Sequence, residues 1–182
     1  MDLYEAIDKR RTIRKFKSPV TEEQLKKIIS EGVKAPSAGN KQEWEFVLVN
    51  DSEIIKKISE IKYAMNRGAP IGEEADPEKE KTGQIQKDSF SNASLIVVYA
   101  KGEGNVSSAW VCIENMLLTA VAEGLATRIA GFWGEGIEEI DKLMNAPEEM
   151  KLVAAISVGV ADQEPALRNL RPHESWLHVN KF

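Results

Sequence analysis

Arg10, Arg11, Thr12 and Arg14 place three guanidinium groups and a hydroxyl within five residues. Arginine suits phosphate, because its planar fork donates paired hydrogen bonds and its charge does not titrate. A basic turn alone is ordinarily solvated surface, so the cluster gains meaning only from its company. The stretch Ala35-Pro36-Ser37-Ala38-Gly39-Asn40-Lys41-Gln42 supplies that company: small residues let a backbone approach a flat ligand closely, and Ser37, Asn40 and Gln42 offer donors and acceptors. A third candidate is the run from Gly124 to Phe132, where Gly131 follows Ala130 and leaves backbone N–H groups unobstructed, suited to an electron-rich ring atom. Arg171 stands apart, in the aperiodic tail with His173 and His178. Neither histidine has a triad-like partner in the sequence, and neither is assigned a role.

Lys101-Gly-Glu-Gly-Asn-Val-Ser107 follows a strand pattern and precedes a helix pattern, which invites comparison with a dinucleotide-binding turn. The third glycine is absent and no acidic residue follows at a second strand's end, so it reads as a plain strand-to-helix turn.

These residues need elements to hold them. Leu3, Ala6 and Ile7 share one helical face, and the basic stretch from Lys9 to Lys17 begins where that helix ends. Thr21 to Gln24 reads as a capping box for a helix carrying Leu25, Ile28, Ile29 and Val33, which Pro36 stops. Phe46–Val49, Ala93–Ala100, Leu125–Phe132 and Leu152–Val160 read as strands. A helical pattern runs through Ile54, Ile55, Ile58 and Ile61, and a short helix is expected around Ile137–Met144. The segment 66–88 is polar and rich in glycine and proline, and reads as a long loop or lid. Val106–Glu123 reads as a helix apolar on nearly every side, which a chain of 182 residues does not easily enclose; burial against a second copy is the expectation. The tail, 162–182, has no helical or strand period and must lie on something to be stable.

Bulk properties narrow the chemistry. With 182 residues and 42% apolar content the chain suits one domain. A lone cysteine and two histidines offer neither a disulfide nor a metal cage, so redox chemistry would need an organic cofactor. The net charge of −5 disfavours nucleic acid and anionic membrane as partners. No apolar run suits a bilayer span or a secretory leader, and the expected location is cytoplasmic.

Taken in order, the pieces resemble the nitroreductase family. Arg10-Arg-Thr-Ile-Arg14-Lys-Phe16 is similar to its R-[RH]-[ST]-x-[RK]-x-F signature, and Ala35-Pro-Ser-Ala-Gly-Asn40-Lys-Gln42-Glu-Trp44-Glu-Phe46 to its A-P-S-x-x-N-x-Q-P-W-x-F signature. Asn92-Ala93-Ser94, Gly124-Leu125 through Gly131-Phe132, and Arg171-Pro-His-Glu resemble three further family segments. The resemblance implies an α+β sandwich: a mixed, mostly antiparallel sheet flanked by helices, in a homodimer that exchanges its C-terminal extensions. It implies two FMN sites at the subunit interface. Arg10, Arg11, Thr12, Arg14, Ala130, Gly131 and Arg171 would come from one chain; Pro36, Ser37, Ala38, Asn40 and Gln42 would come from the other. By the same resemblance Arg10 and Arg171 would neutralise the phosphate, Thr12 would bind ribityl or phosphate oxygens, Arg14 would sit toward N1 and O2, and the Gly131 N–H would meet N5. The implied reaction passes hydride from NADH or NADPH through the flavin to a small-molecule acceptor, a nitroaromatic or a quinone. No side chain is needed as nucleophile or base. Alternatives of the same fold are a reductive dehalogenase and a flavin-binding dimer without turnover. Glu43 stands where the family usually has proline, and Ala130 where a polar residue is frequent.

Overall fold

The computed structural model describes residues 1–69 and 71–182. Its elements run α1 (Leu3–Lys9), β1 (Phe16–Pro19), α2 (Glu22–Gly32), β2 (Trp44–Val49), α3 (Ser52–Arg67), α4 (Pro77–Asp88), β3 (Ser94–Lys101), α5 (Val106–Ala122), β4 (Ala126–Ala130), α6 (Glu135–Met144) and β5 (Met150–Ala161). The fold is α+β, with an antiparallel sheet flanked by helices.

The long strand β5 organises the sheet. β3 pairs with it from Met150 to Val158, and β4 pairs with Ala155 to Gly159, so these two strands occupy opposite edges. β1 continues the β3 edge at Gly159 to Ala161, and β2 adds outside β3. Every named strand pair is antiparallel; the parallel component is a bridge between Thr12 and Thr127.

Alternation sorts the sheet into two faces. Ile96, Val98, Ala154, Ile156 and Val158 pack with Leu25, Ile28, Ile113, Met116 and Leu117, so α2 and α5 cover one face. Leu95, Val97, Tyr99, Ala130 and Ala155 pack with Ile58, Phe90 and Ile140 on the other. α2 approaches α5 closely at Gly32, where an added Cβ would come within 2.4 Å of the Met116 Cγ. That packing fixes the start of the Ala35–Gln42 segment. The expected capping box is present: the Thr21 hydroxyl accepts from the Gln24 N–H, and the Gln24 side chain accepts from the Thr21 N–H.

One expectation needs correction. The segment 66–88 is not one long loop, because α3 continues to Arg67 and residues 77–88 form α4. Asp76 caps α4 by accepting from the Glu78 and Lys79 N–H groups, and Pro77 fits the first turn, where no N–H partner is lost. The buried Arg67 then ties the two helices together, pairing with Glu80 at 2.9 Å and donating to the carbonyls of Ala69 and Glu73. The basic stretch, in turn, contains the short strand β1, whose Phe16 is buried.

α5 is not fully enclosed. Cys112, Ile113, Met116 and Leu117 are buried, whereas Trp110 is 41% and Val111 45% exposed. Leu3 and Tyr4 of α1 are exposed as well, as are Leu167, Leu170, Val179 and Phe182 in the tail.

Candidate functional site

Arg10 caps the C-terminal end of α1, its N–H bonding the Ala6 carbonyl at 2.9 Å. The chain then turns onto β4: Thr12 forms its bridge with Thr127, and the Ile13 N–H donates to the Thr127 carbonyl at 3.0 Å. Ile13 is buried with Phe16, Ala93 and Ala126 and anchors the segment, while Thr12 and Arg14 stay exposed. The basic segment therefore lies beside the strand that leads to Ala130 and Gly131. Four residues of β geometry separate Thr127 from Gly131, about 13 Å. Gly131 is exposed, with open space where a Cβ would point. The strip offers cations at one end and bare backbone at the other.

The Arg14 N–H and the Lys15 N–H both donate to the Gln163 side-chain oxygen, at 2.8 and 2.9 Å, which ties the segment to the start of the tail. Arg10 has an ion pair only with Glu114 of α5, at 3.7 Å, among the described residues. Arg11 departs from the expected grouping. Its guanidinium donates to the carbonyls of Asp8 (2.5 Å), Arg10 (2.8 Å) and Ala166 (3.0 Å), so it clamps the tail against the end of α1. Arg168 reinforces that clamp through the carbonyls of Ile7 and Arg10. Arg171 follows in the exposed tail, where its carbonyl accepts from the Trp176 indole at 3.2 Å.

The Pro36–Gln42 segment is built differently. Ala38–Asn40 form a single 3₁₀ turn, and Gly39, Asn40 and Gln42 all have positive φ, near +55°. The turn is locked by the Ser37 hydroxyl accepting from the Gln42 N–H, by the Gln42 amide donating to the Asn40 side-chain oxygen, and by the Ala38 N–H donating to the Ser108 hydroxyl on α5. Glu43 joins the frame, its carboxylate accepting from the Asn105 side chain at 3.0 Å.

Within one chain the two halves are apart. The loop enters β2 at Trp44, level with Lys151 of β5 through Ala100, whereas Thr12 is level with Val158 through Thr127. That difference is about 23 Å along the strand, and β4 and β2 lie about 14 Å apart across the sheet. One chain brings Arg10, Thr12, Arg14, Ala130 and Gly131 to one edge and leaves Pro36, Ser37, Ala38, Asn40 and Gln42 at the other.

Two residues beside the strip went unremarked in the sequence. Lys62 of α3 is 4% exposed; its Nζ donates to the Gly131 carbonyl at 2.6 Å and lies 4.2 Å from the centre of the Trp133 ring. Burial, with a smaller contribution from Arg128, lowers its pKa to about 8. Arg128 of β4 is 2% exposed, stacks 4.7 Å from the Phe90 ring centre and bonds the Gln86 side chain. Burial and then Arg14 lower its pKa to about 10. The only sequence signals were a lysine on the apolar side of an amphipathic helix and an arginine in mid-strand.

Cys112 is fully buried in the α2–α5 core, and burial pushes its thiol up to about 11. A cavity of about 650 Å³ lies at the far end of β2, bordered by Lys56, Ser59, Phe90 and Asn92, and contains none of the expected binding residues. No group of side chains able to hold a metal ion, and no helix long and apolar enough to cross a membrane, occurs among the described residues.

Comparison with known proteins places this arrangement. Residues 7–160 match the model of the Nitroreductase family. The chain belongs to the nitroreductase family. It is an oxidoreductase by that membership. It is similar to an iodotyrosine deiodinase of Thermotoga neapolitana, with 29% identity over 88% of this chain and 89% of that protein. It is similar also to an NADPH-flavin oxidoreductase of Vibrio harveyi, with 29% identity over 98% of this chain and 73% of that protein. Its fold matches the crystal structure of a nitroreductase with bound FMN from Desulfitobacterium hafniense, with a TM-score of 0.78 and 21% identity over 99% of this chain and 100% of the other.

Proposed function

We propose that this nitroreductase-family chain is an FMN-dependent NAD(P)H oxidoreductase acting as a homodimer, with each flavin held between two copies. The observation that carries the reading is the strip from Arg10 to Gly131: the half-buried Arg10, the exposed Arg14 and Thr12 beside one end of β4, and open backbone at the other. A phosphate needs the first and a planar ring needs the second. Arg10 and Arg171 would hold the phosphate, with charge-assisted hydrogen bonds contributing about 1.5–3 kcal/mol each. Thr12 would bind a ribityl or phosphate oxygen, Arg14 would face the N1 side, and the Gly131 N–H would meet N5. Bound FMN would supply two-electron transfer between a reduced nicotinamide and an organic acceptor.

The second copy has two tasks in this reading. Its Pro36–Gln42 turn completes the site, since one chain leaves that turn more than 20 Å from Thr12 by the strand spacings above. Its surface covers Trp110 and Val111 on α5. The free edge of β2, which pairs with β3 alone among the described residues, is open to a strand from a partner's tail. Arg10, Thr12 and Gly131 on one copy then meet Ser37 and Asn40 on the other.

The iodotyrosine deiodinase relative favours a second reading, removal of halogen from an aromatic substrate under an α3–α4 cover. Purified protein given FMN should quench its fluorescence at one FMN per chain, bleach on addition of NADH or NADPH, and recover with a nitroaromatic or quinone. Failure to take up FMN would overturn the proposal. Recovery with halotyrosines alone would select the second reading.

A further inference from the structure

Lys62 bonds the Gly131 carbonyl, Arg128 stands three residues before Gly131 on β4 with its charge felt at Lys62, and among the described residues neither has a carboxylate within 4 Å. The cluster has contributions from every element packed there: Lys62 from α3, Gln86 from α4, Arg128 from β4, Ser157 from β5, and the charge of Arg14 from the basic segment. Lys62 has one hydrogen-bond acceptor, the Gly131 carbonyl, and the rings of Phe132 and Trp133 within 5.4 Å. Among the described residues the Arg128 Nη1 has no hydrogen-bond partner, and neither does the Ser157 hydroxyl. Those two residues face each other directly across the β4–β5 ladder, so the two unpaired groups share one face of the sheet.

A buried cation without a counter-charge is costly, and apolar side chains of similar volume would be more stable there. Holding a carbonyl in place needs only a neutral donor. A pair of buried positive charges gains its value when a negative charge arrives nearby, because fixed charges in a dry site need no reorganisation to meet it. On the flavin reading above, on which this inference rests, such a charge would arrive on the ring bound beside the Gly131 turn. Two electrons and one proton, delivered to N5 as hydride by a reduced nicotinamide, would leave one negative charge on the ring's N1 side.

We infer that Lys62 and Arg128 are positioning residues that favour the reduced, negatively charged flavin over the oxidised one, from behind Gly131 and without serving as phosphate ligands. Removing one such charge should change the reduced-to-oxidised binding ratio by about tenfold. For a two-electron couple, tenfold corresponds to about 30 mV.

The test is the midpoint potential of FMN bound to the wild-type protein and to Lys62→Met, Arg128→Met and Arg128→Lys, with oxidised FMN affinity measured alongside. The two neutral variants should bind oxidised FMN within a few-fold of wild type while their potentials fall by about 30 mV each. Arg128→Lys, which keeps the charge, should stay near wild type. Unchanged potentials in FMN-bound Lys62→Met and Arg128→Met would overturn the inference and leave the flavin reading intact; a wild-type protein that binds no FMN would overturn the flavin reading itself. If the neutral variants do not fold, the wild type decides the matter. Its bound FMN should have a potential above that of free FMN in the same buffer, and a lower one would overturn the inference.

Discussion

The Lys62 ammonium donates a 2.6 Å hydrogen bond to the Gly131 carbonyl, joining the buried face of α3 to the turn that ends β4. Its free-energy consequence depends on pH. Burial lowers the Lys62 pKa from 10.5 to about 8 in the folded chain, so between those values the unfolded chain binds more protons than the folded one. Stability therefore rises with pH across that window, and below about pH 8 the whole cost of the buried charge is present. Lys62→Met should be the more stable protein at pH 7, by on the order of 2 kcal/mol, with the advantage shrinking toward pH 10. Urea unfolding at the two pH values checks this; an equal difference at both would contradict it.

Gly131 tests the ring end of the strip. Since an added Cβ would meet open space, Gly131→Val should fold with a melting temperature close to wild type. Its FMN affinity should fall at least tenfold, because the new methyl groups would occupy the ligand's place. Fluorescence titration reads the affinity, and an unchanged value would remove Gly131 from the site.

Arg10 and Arg11 are adjacent yet should behave differently. Arg10→Ala should weaken FMN binding about tenfold or more, the scale of one charge-assisted hydrogen bond. Arg11→Ala loses the bonds to Asp8, Arg10 and Ala166, so hydrogen exchange and proteolysis around residues 163–171 should accelerate. Its direct effect on FMN should be the smaller. Equal losses from both changes would argue that Arg11 also meets the phosphate.

The α3–α4 pair should loosen in acid. The Glu80 carboxyl is held below its usual value by the Tyr63 hydroxyl and then by Arg67. Its contribution is complete above the ordinary glutamate range and is lost as pH falls through the lowered value. Hydrogen exchange in residues 77–88 should therefore be faster at pH 3.5 than at pH 6, relative to the strands. In Glu80→Gln it should be faster at both, and an exchange rate insensitive to the substitution would count against the tie.

The sequence made the cap of α2 and the four principal strands visible, because those features rest on local chemistry: Thr21 with Gln24, and alternating apolar residues. The two halves of the proposed site are marked by residue type alone, arginines with Thr12 and small residues after Pro36. α4 was missed because it lacks an apolar period; the legible sign was Asp76 before Pro77, a cap followed by a first-turn proline. β1 was hidden inside the basic stretch, and Phe16 is the one buried residue within the strand. Lys62 and Arg128 were unreadable for another reason. Their burial arises from α3, α4 and β4 converging, and no local pattern records which charged residue such a convergence will cover. Arg11 looked equivalent to its neighbours because the carbonyl of Ala166 that holds it lies 155 positions away.

The shared site is the central claim, and a mixed dimer tests it most directly. One variant carries Arg10→Ala with Arg171→Ala, the other Ser37→Ala with Asn40→Ala; each alone should bind FMN weakly at both sites. Mixing them under conditions that exchange subunits should produce hybrids in which one site takes its arginines and its loop from unaltered halves. Fluorescence titration should then reveal tight sites, up to one per hybrid dimer. A mixture that forms hybrids and still binds no better than its parents would contradict an FMN site built from two chains.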